Sequence, residues 1–167
     1  MSPQLRPLEQ WVCDECGEII QEPKHGYVEW LSGFATGEGP HGFRIVHHAP
    51  RSPQQPHGNC YRYSRSPGRQ DLPVTDFLGE SGIPLILSLI DVGRYHDPDR
   101  KARPAKDARE WADLYRRLHL PYFEEARRHW DRASRDGYFA EANELWVYMP
   151  NNMRARIEHY EREDGGA

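Results

Sequence analysis

Residues 11–20, WVCDECGEII, indicate how the N-terminal part of the chain folds. Cys13 and Cys16 are separated by two residues, and Gly17 follows the second cysteine directly. This spacing lets two thiolates point from one tight turn into a single tetrahedral metal site, and the glycine relieves the backbone after the turn. Apolar residues stand on both sides, as in a short β-hairpin. We therefore predict a metal-binding hairpin here.

Two further ligands would complete a tetrahedral zinc site. The third cysteine, Cys60, lies in a second turn that is rich in Pro and Gly. His57 precedes this cysteine with the same two-residue spacing, whereas His47 and His48 end a predicted strand, which holds a ligand more rigidly than a loop. We favour His47 because it continues the apolar face of that strand. The predicted zinc ligands are Cys13, Cys16, Cys60 and His47, with His48 and His57 as alternates.

The number and placement of the cysteines favour a metal over a disulfide or a redox pair. Three cysteines are an odd number, which excludes a fully paired disulfide framework. A thioredoxin-like pair would be followed by a helix within a βαβ unit, and the residues after Cys16 look β-like instead. We predict one structural Zn²⁺ per chain, whose binding energy, of order 10 kcal/mol, would help a small segment to fold.

Over residues 11–63, this arrangement resembles zinc-ribbon domains in general. The resemblance rests on the first cysteine pair and on the position of all three cysteines at turns between β-like runs. It implies a small β unit that is stabilised by one structural zinc ion. Three cysteines and one histidine stand here in place of the usual four cysteines.

A second resemblance, to HNH-type nucleases, implies an alternative function. It rests on the first cysteine pair, on residues 46–50 (VHHAP) and on Asn59 before the third cysteine. In that family a histidine at a strand end activates water, and an asparagine orients the loop. The resemblance implies a metal-dependent nuclease in which His47 or His48 is the base, and in which His48 and His57 hold the divalent metal.

The hydrophobic pattern predicts strands in the first part of the chain and helices in the rest. Residues 27–31 and 43–47 are rich in β-branched and aromatic residues, and residues 61–63 are a candidate third strand. Residues 107–118 repeat apolar side chains at intervals of three and four, which is typical of one helix face. The other predicted elements are a linker at 65–71, a buried helix that starts at Pro84, a helix from 121 to about 135 and a last helix at 150–161.

These elements predict an α+β fold in which a small N-terminal zinc-ribbon-like β unit, residues 1–70, packs on an α-helical domain, residues 71–167. Ten aromatic residues lie between Trp111 and Tyr160. We expect most of them to form the core of the helical part. Some are expected to stay exposed as a protein-binding patch.

Charged residues within the predicted helices are interpreted as solvent-facing. Glu124 and Glu125 each precede a basic or imidazole side chain by four positions, which predicts exposed pairs along one helix face. The same exposure is expected for Arg116, Arg117, Arg127 and Arg128.

The charge distribution marks a candidate binding surface. The first seventy residues carry seven acidic and seven basic residues, and the remainder carries nineteen and fifteen, so the net charge of −4 gives no overall attraction to nucleic acid. No acidic residue occurs between Glu38 and Asp71, however, and arginines there alternate with Tyr61 and Tyr63. Such a strip suits phosphates and stacked bases. The candidate nucleic-acid-binding residues are Arg44, Arg51, Arg62, Arg65 and Arg69.

Composition excludes several classes of protein. Hydrophobic residues make up 37% and charged residues 29% of the chain, and the mean hydropathy is −0.92, which does not indicate wholesale disorder. No apolar run has the roughly 20 residues of a membrane helix, and no signal-peptide pattern begins the chain, so we expect a cytoplasmic protein. Arg outnumbers Lys nineteen to three, which suggests a GC-rich bacterial genome. We predict a non-catalytic adaptor or regulatory binding protein, whose partner is a protein or a nucleic acid rather than a membrane.

Overall fold

The α+β class predicted from the sequence is confirmed, with antiparallel strands in the N-terminal part and helices in the C-terminal part. The structure is a computed structural model that describes residues 5–33, 37–91 and 103–165. The strands are β1 (Trp11–Val12), β2 (Ile19–Ile20), β3 (Gly26–Gly33), β4 (Glu38–His47) and β5 (Arg69–Pro73). The helices are α1 (Gly79–Ser88), α2 (Ala108–His119), α3 (Phe123–Arg127), α4 (Trp130–Arg135), α5 (Glu144–Val147) and α6 (Pro150–Gly165).

β1 and β2 form the predicted hairpin, with Trp11 opposite Ile20 in an antiparallel pair. Across the turn, the amide of Cys13 donates to the carbonyl of Glu18 (2.9 Å), and the amide of Gly17 donates to the carbonyl of Cys13 (3.0 Å). Gly17 has a φ of +76°, a left-handed conformation that residues with a Cβ rarely adopt. The glycine after the second cysteine therefore closes the turn.

β3 is the central strand of a three-stranded antiparallel sheet in the order β4-β3-β5. The strands predicted at 27–31 and 43–47 are confirmed, and they extend over Gly26–Gly33 and Glu38–His47. In the β3–β4 pair, Gly26 lies opposite His47. The pairing of β3 with β4 therefore holds the last residue of β4 in place.

The third strand differs from the prediction. Residues 61–63 form a turn, and β5, which begins at Arg69, pairs with β3 in their place. The amides of Arg62 and Tyr63 donate to the buried carboxylate of Glu29 (3.0 and 3.4 Å), so these donors are not available to a strand ladder. The predicted linker therefore ends within the sheet. β5 also lies across the predicted domain boundary, and that division stays a prediction.

The helices agree with the sequence pattern where the pattern is long. α2 matches the prediction at 107–118, and Asp107 caps its first turn by accepting from the amide of Arg109 (2.7 Å). Pro121 separates α2 from α3, as predicted. The helix predicted to reach residue 135 is instead two short helices, with a break before Trp130. Within the described residues, every helix is too short or too polar to cross a bilayer.

α1 packs closely against the 3-10 turn that precedes it. The helix predicted to start at Pro84 begins at Gly79 instead, and the proline lies inside it. Gly82 is buried, and a Cβ on it would lie 2.0 Å from the carbonyl oxygen of Phe77. This close approach of two backbone segments requires a glycine.

Two groups of buried side chains hold the elements together. The first joins both sheets to α1 and α2, and it includes the fully buried Trp11. The indole Nε1 of Trp11 donates to the carbonyl of Arg117 in α2 (2.9 Å). The second packs α3 against α6 through Phe123, Met153 and Ile157. The β1–β2 hairpin is thus packed directly on the helical part.

Gly82→Ala is expected to destabilise the protein. Alanine is favoured over glycine inside helices by about 1 kcal/mol, but the added Cβ would push α1 away from a backbone oxygen. The steric effect is larger, and we expect a loss of about 2 kcal/mol in the free energy of unfolding, measured by urea denaturation. Gly58→Ala is the matched control, because its Cβ would meet Gln54 at an ordinary 3.5 Å. Equal or greater stability of Gly82→Ala would contradict the close packing.

Candidate metal centre

Four side chains from separate segments converge beside the hairpin. Cys13 and Cys16 lie in the turn between β1 and β2. His47 ends β4, and Cys60 lies in the loop between β4 and β5. One potential ligand atom from each of the four residues lies within 4.8 Å of all the others. The structure therefore brings together the three cysteines and the histidine that the sequence favours.

Hydrogen bonds hold the later two members of the group in place. The amide of His48, directly after His47, donates to the carbonyl of His25 (2.7 Å) and fixes the end of β4. The hydroxyl of Ser52 lies 3.2 Å from the sulfur of Cys60, and the amide of Gln54 donates to the same hydroxyl (3.1 Å). Cys60 is thereby positioned although it lies outside the helices and strands.

The three sulfur atoms lie close enough to one another and to the imidazole of His47 for the ionisation of the thiols to be altered. Nδ1 of His47 lies 3.4 Å from Sγ of Cys16 and 3.9 Å from Sγ of Cys60. Burial raises the pKa of Cys13, but hydrogen bonds from His47 and from backbone amides outweigh burial and lower this pKa to about 6. Burial and the nearby Cys13 raise the pKa of Cys16 to about 12, and burial also raises the pKa of Cys60. A cation would balance the charge of several adjacent thiolates.

The two alternate histidines lie outside this group. The ring of His48 stacks on Tyr27, with the ring centroids 4.5 Å apart and the ring planes at 19°. Because it follows His47 by one position in an extended segment, its side chain leaves the backbone on the other side. His57 is exposed. The direction of β4 thus selects one histidine among the three that the sequence leaves open.

The donor set suits a tightly held metal ion. Three thiolates with one imidazole are typical of structural zinc sites, and four ligands complete a tetrahedral shell. Cys13, Cys60 and His47 are 1%, 0% and 5% exposed, and Cys16 is partly exposed. Among the residues that the structure describes, no other group of three or more His, Cys, Asp or Glu side chains comes together in this way.

A residue between the first two cysteines connects the metal centre to the helices. One carboxylate oxygen of Asp14 accepts from the amide of Ile45 (2.7 Å) and from Nη1 of Arg117 (2.6 Å). The other oxygen accepts from Nη2 of Arg127 (3.3 Å), and the carbonyl of Asp14 accepts from Arg44 (2.6 Å). The turn that carries two potential ligands is therefore held by groups from β4, α2 and α3.

Glu124 in α3 is the buried acid of the same network, and it is 5% exposed. Its carboxylate pairs with Arg117 (2.8 Å) and Arg127 (2.9 Å), and it also accepts from the amide of Val12 (2.9 Å). Burial raises the pKa of Glu124, but the charges of the two guanidinium groups outweigh burial and lower this pKa to about 2. The prediction that Glu124 and Arg117 face solvent is wrong, because each meets opposite charges inside the fold.

The spacing of buried residues in α2 indicates that one member of this network, Arg117, is buried. Arg117 lies three residues after Leu114, and both side chains are buried on the inner face of α2. Glu125 carries no such signal and is buried as well, which corrects the predicted exposed pair. It accepts from the amide of Leu5 (2.8 Å), which is 120 residues away, and it pairs with Arg128 (2.9 Å).

The five arginines of the predicted strip do not form one surface. Arg44 is buried, and it pairs with the fully buried Glu29 (3.2 Å). Arg69 is partly buried and pairs with Asp71. These two side chains form ion pairs within the fold, and their acidic partners lie outside the strip. The exposed members of the strip are Arg51, Arg62 and Arg65.

The chain matches no protein-family model, no curated protein and no solved structure. The metal centre, the ion-pair network behind it and the surface around it are therefore the basis for assigning a function. The four side chains are mostly buried, and three thiolates with one imidazole are typical ligands of structural zinc sites. These two properties limit the chemistry that the group can support.

Arg117→Met is expected to lower the free energy of unfolding by about 3–5 kcal/mol, because it leaves Asp14 and Glu124 without their main buried counter-charge. Urea denaturation measures the change. Arg109→Met, at the exposed start of α2, is the matched control and should change stability by less than about 0.5 kcal/mol. Equal stability of the two variants would show that the network contributes nothing.

The charge on Glu124 adds stability at neutral pH that is lost in acid. Its pKa of about 2 in the folded protein lies below its ordinary value of 4.5. The contribution, about 3 kcal/mol, is therefore fully present above pH 4.5 and disappears as the pH falls towards 2. We expect the difference in unfolding free energy between the wild-type protein and Glu124→Gln to narrow below pH 4.5. The cysteines and His47 are the same in both proteins, so their titration affects both alike, and a difference that does not vary with pH would refute this origin.

Proposed function

We propose that the protein is a non-catalytic binding protein, an adaptor or regulator, whose fold is stabilised by one structural Zn²⁺. The observation that carries this proposal is the group of three cysteines and His47, whose ligand atoms lie within 4.8 Å of one another. Protein side chains can fill every position of a tetrahedral shell there. A catalytic zinc site instead keeps one position for water or substrate.

Zinc is the metal that this donor set favours. Thiolates bind zinc in preference to Mg²⁺, Ca²⁺ or Mn²⁺, which prefer oxygen ligands. An imidazole as the fourth ligand is a common variant of structural zinc sites. The Ser52 hydroxyl beside Cys60 supplies an outer contact of the kind that orients a ligating side chain.

The proposed ion has a clear structural role. Between β4 and β5 the chain contains one short 3-10 turn, Ala49–Arg51, and otherwise irregular structure. An ion bound by Cys60 would tie the middle of this loop to the hairpin and to the end of β4. Since the apparent binding energy of a structural zinc is of order 10 kcal/mol, it would contribute directly to folding.

The nuclease alternative has less support in this geometry. His47 belongs to the proposed zinc shell, so its imidazole would not be free to activate water. His48 stacks on Tyr27, and His57 is exposed. A divalent metal bound by these two histidines would need further ligands, and the described residues contain no second convergent group that would supply them.

A protein partner is supported by the surface around α5. Leu145, Trp146 and Met149 lie close together in sequence, and they are 74%, 39% and 48% exposed. Large apolar side chains that stay exposed together are typical of docking surfaces. An adaptor requires such a face in addition to its zinc-stabilised part.

The protein purified without added metal is expected to contain about one zinc per chain, measured by elemental analysis. Cys13→Ser removes one ligand of a buried group, so we expect zinc content to fall at least about fivefold and the thermal midpoint to decrease. His57→Ala is the matched control, because this histidine lies outside the group, and it should keep its zinc.

Two results would overturn the proposal. One is a zinc content below about a fifth of an ion per chain together with normal folding of Cys13→Ser. The other is cleavage of DNA or RNA with Mg²⁺ or Mn²⁺ that is lost in His48→Ala while zinc content is kept. The second result would identify the protein as a nuclease.

A further inference from the structure

Three rings and one guanidinium group contact one another in sequence beside the candidate metal centre. The ring of His48 stacks on Tyr27, with 4.5 Å between centroids. Tyr61 packs edge-on against Tyr27 (6.2 Å), and the guanidinium of Arg69 lies 4.2 Å from the centre of the Tyr61 ring. All four side chains are partly exposed. We call these four residues the ring ladder.

Two members of the ring ladder are direct neighbours of the proposed zinc ligands. His48 follows His47, and Tyr61 follows Cys60. An ion that fixes the two ligands also fixes the backbone from which these two rings extend. The inference below therefore rests on the proposed function, since the metal would set the spacing within the ladder.

Three exposed arginines lie close in sequence to members of the ring ladder. Arg62 directly follows Tyr61, and Arg65 lies three residues further along the chain. Arg51 lies three residues after His48. All three are exposed, and none forms an ion pair with a residue that the structure describes. No acidic residue occurs in the stretch of sequence that contains them, although Glu22 lies near enough to Arg51 for the charge of the arginine to lower the pKa of that carboxylate.

We propose that the ring ladder and these three arginines form a binding surface for single-stranded nucleic acid. Guanidinium groups neutralise backbone phosphates, and partly exposed rings offer surfaces on which unpaired bases stack. A double helix keeps its bases stacked on one another, so it would use only the charges. The combination of exposed arginines with nearby rings therefore matches a single strand.

An acidic protein segment matches the same surface less well. Carboxylates would pair with the arginines, but they would make no stacking contact with the partly exposed rings of the ladder. Arg44, which the sequence places in the same strip, does not contribute, because its charge is paired with Glu29 and Glu15 inside the fold. The surface is consequently small, and its affinity should depend strongly on each exposed arginine.

Fluorescence anisotropy with the zinc-loaded full chain tests this surface. The probe is a labelled mixed-sequence single-stranded DNA or RNA of about 12 nucleotides, titrated at salt concentrations from about 50 to 200 mM. We expect Arg62→Ala/Arg65→Ala to weaken binding at least about tenfold and to reduce the salt dependence by roughly one unit per arginine. The matched control is Arg109→Ala/Arg135→Ala, which removes two exposed arginines from the helices and should stay within about twofold of wild type.

His48→Ala tests the stacking contribution. We expect it to weaken oligonucleotide binding about tenfold while leaving the binding of polyphosphate of equal charge unchanged, because polyphosphate has no bases. Zinc content is measured for every variant. A variant that keeps its zinc but loses nucleic acid therefore reports on the surface and not on the metal centre.

Several outcomes would overturn the inference. These are absence of oligonucleotide binding by zinc-loaded protein at about 50 mM salt, equal weakening by the helix control, or displacement by polyglutamate as effective as that by unlabelled oligonucleotide. The last outcome would assign the surface to an acidic protein. In each case full zinc content would leave the proposed zinc-stabilised fold intact, whereas loss of zinc in the wild-type protein would reject both.

Discussion

The carboxylate of Asp14 is where the metal centre and the helical part of the protein meet. It lies in the turn between two cysteines, and it receives Ile45 from β4, Arg117 from α2 and Arg127 from α3. A partly buried acid with several charged partners is stable only in one geometry, because misplacing any partner leaves an uncompensated charge. The same turn carries Cys13 and Cys16, two of the four side chains of the candidate metal centre. The arrangement of the ligands and that of the ion pairs therefore constrain each other.

The same network explains how a chain with 29% charged residues and low hydropathy forms a core. Charges that composition alone would assign to the surface are used inside, as Glu124 with Arg117 and as Glu29 with Arg44. Desolvation of such groups is unfavourable, and complete pairing with additional backbone donors offsets it. The core is consequently polar near the hairpin, and the elements α3 and α6 also bury charged side chains, Glu125 and Arg156, beside their apolar contacts.

The proposed zinc ion would then do more than hold one loop. It would fix the backbone from which His48 and Tyr61 of the ring ladder extend, while the exposed apolar side chains Leu145 and Trp146 belong to α5. Two chemically different faces on one small protein are what an adaptor requires. The sheet face combines charge with rings, and the helical face offers apolar contact area.

Several features could be predicted from the sequence because they depend on local chemistry. The Cys-x-x-Cys-Gly turn, the strands around residues 27–31 and 43–47, and the period of α2 each depend on a few consecutive residues. A hairpin turn and a helix face are determined by residues that lie close together in the sequence. The sequence favoured His47 but left His48 and His57 open, and only the folded chain places those two outside the group. The pairing of β5 with β3 and the burial of Glu124 and Arg44 also came only from the folded chain. Each depends on residues far apart in sequence, such as Asp14 and Arg117, whose approach is a property of packing that no short pattern carries.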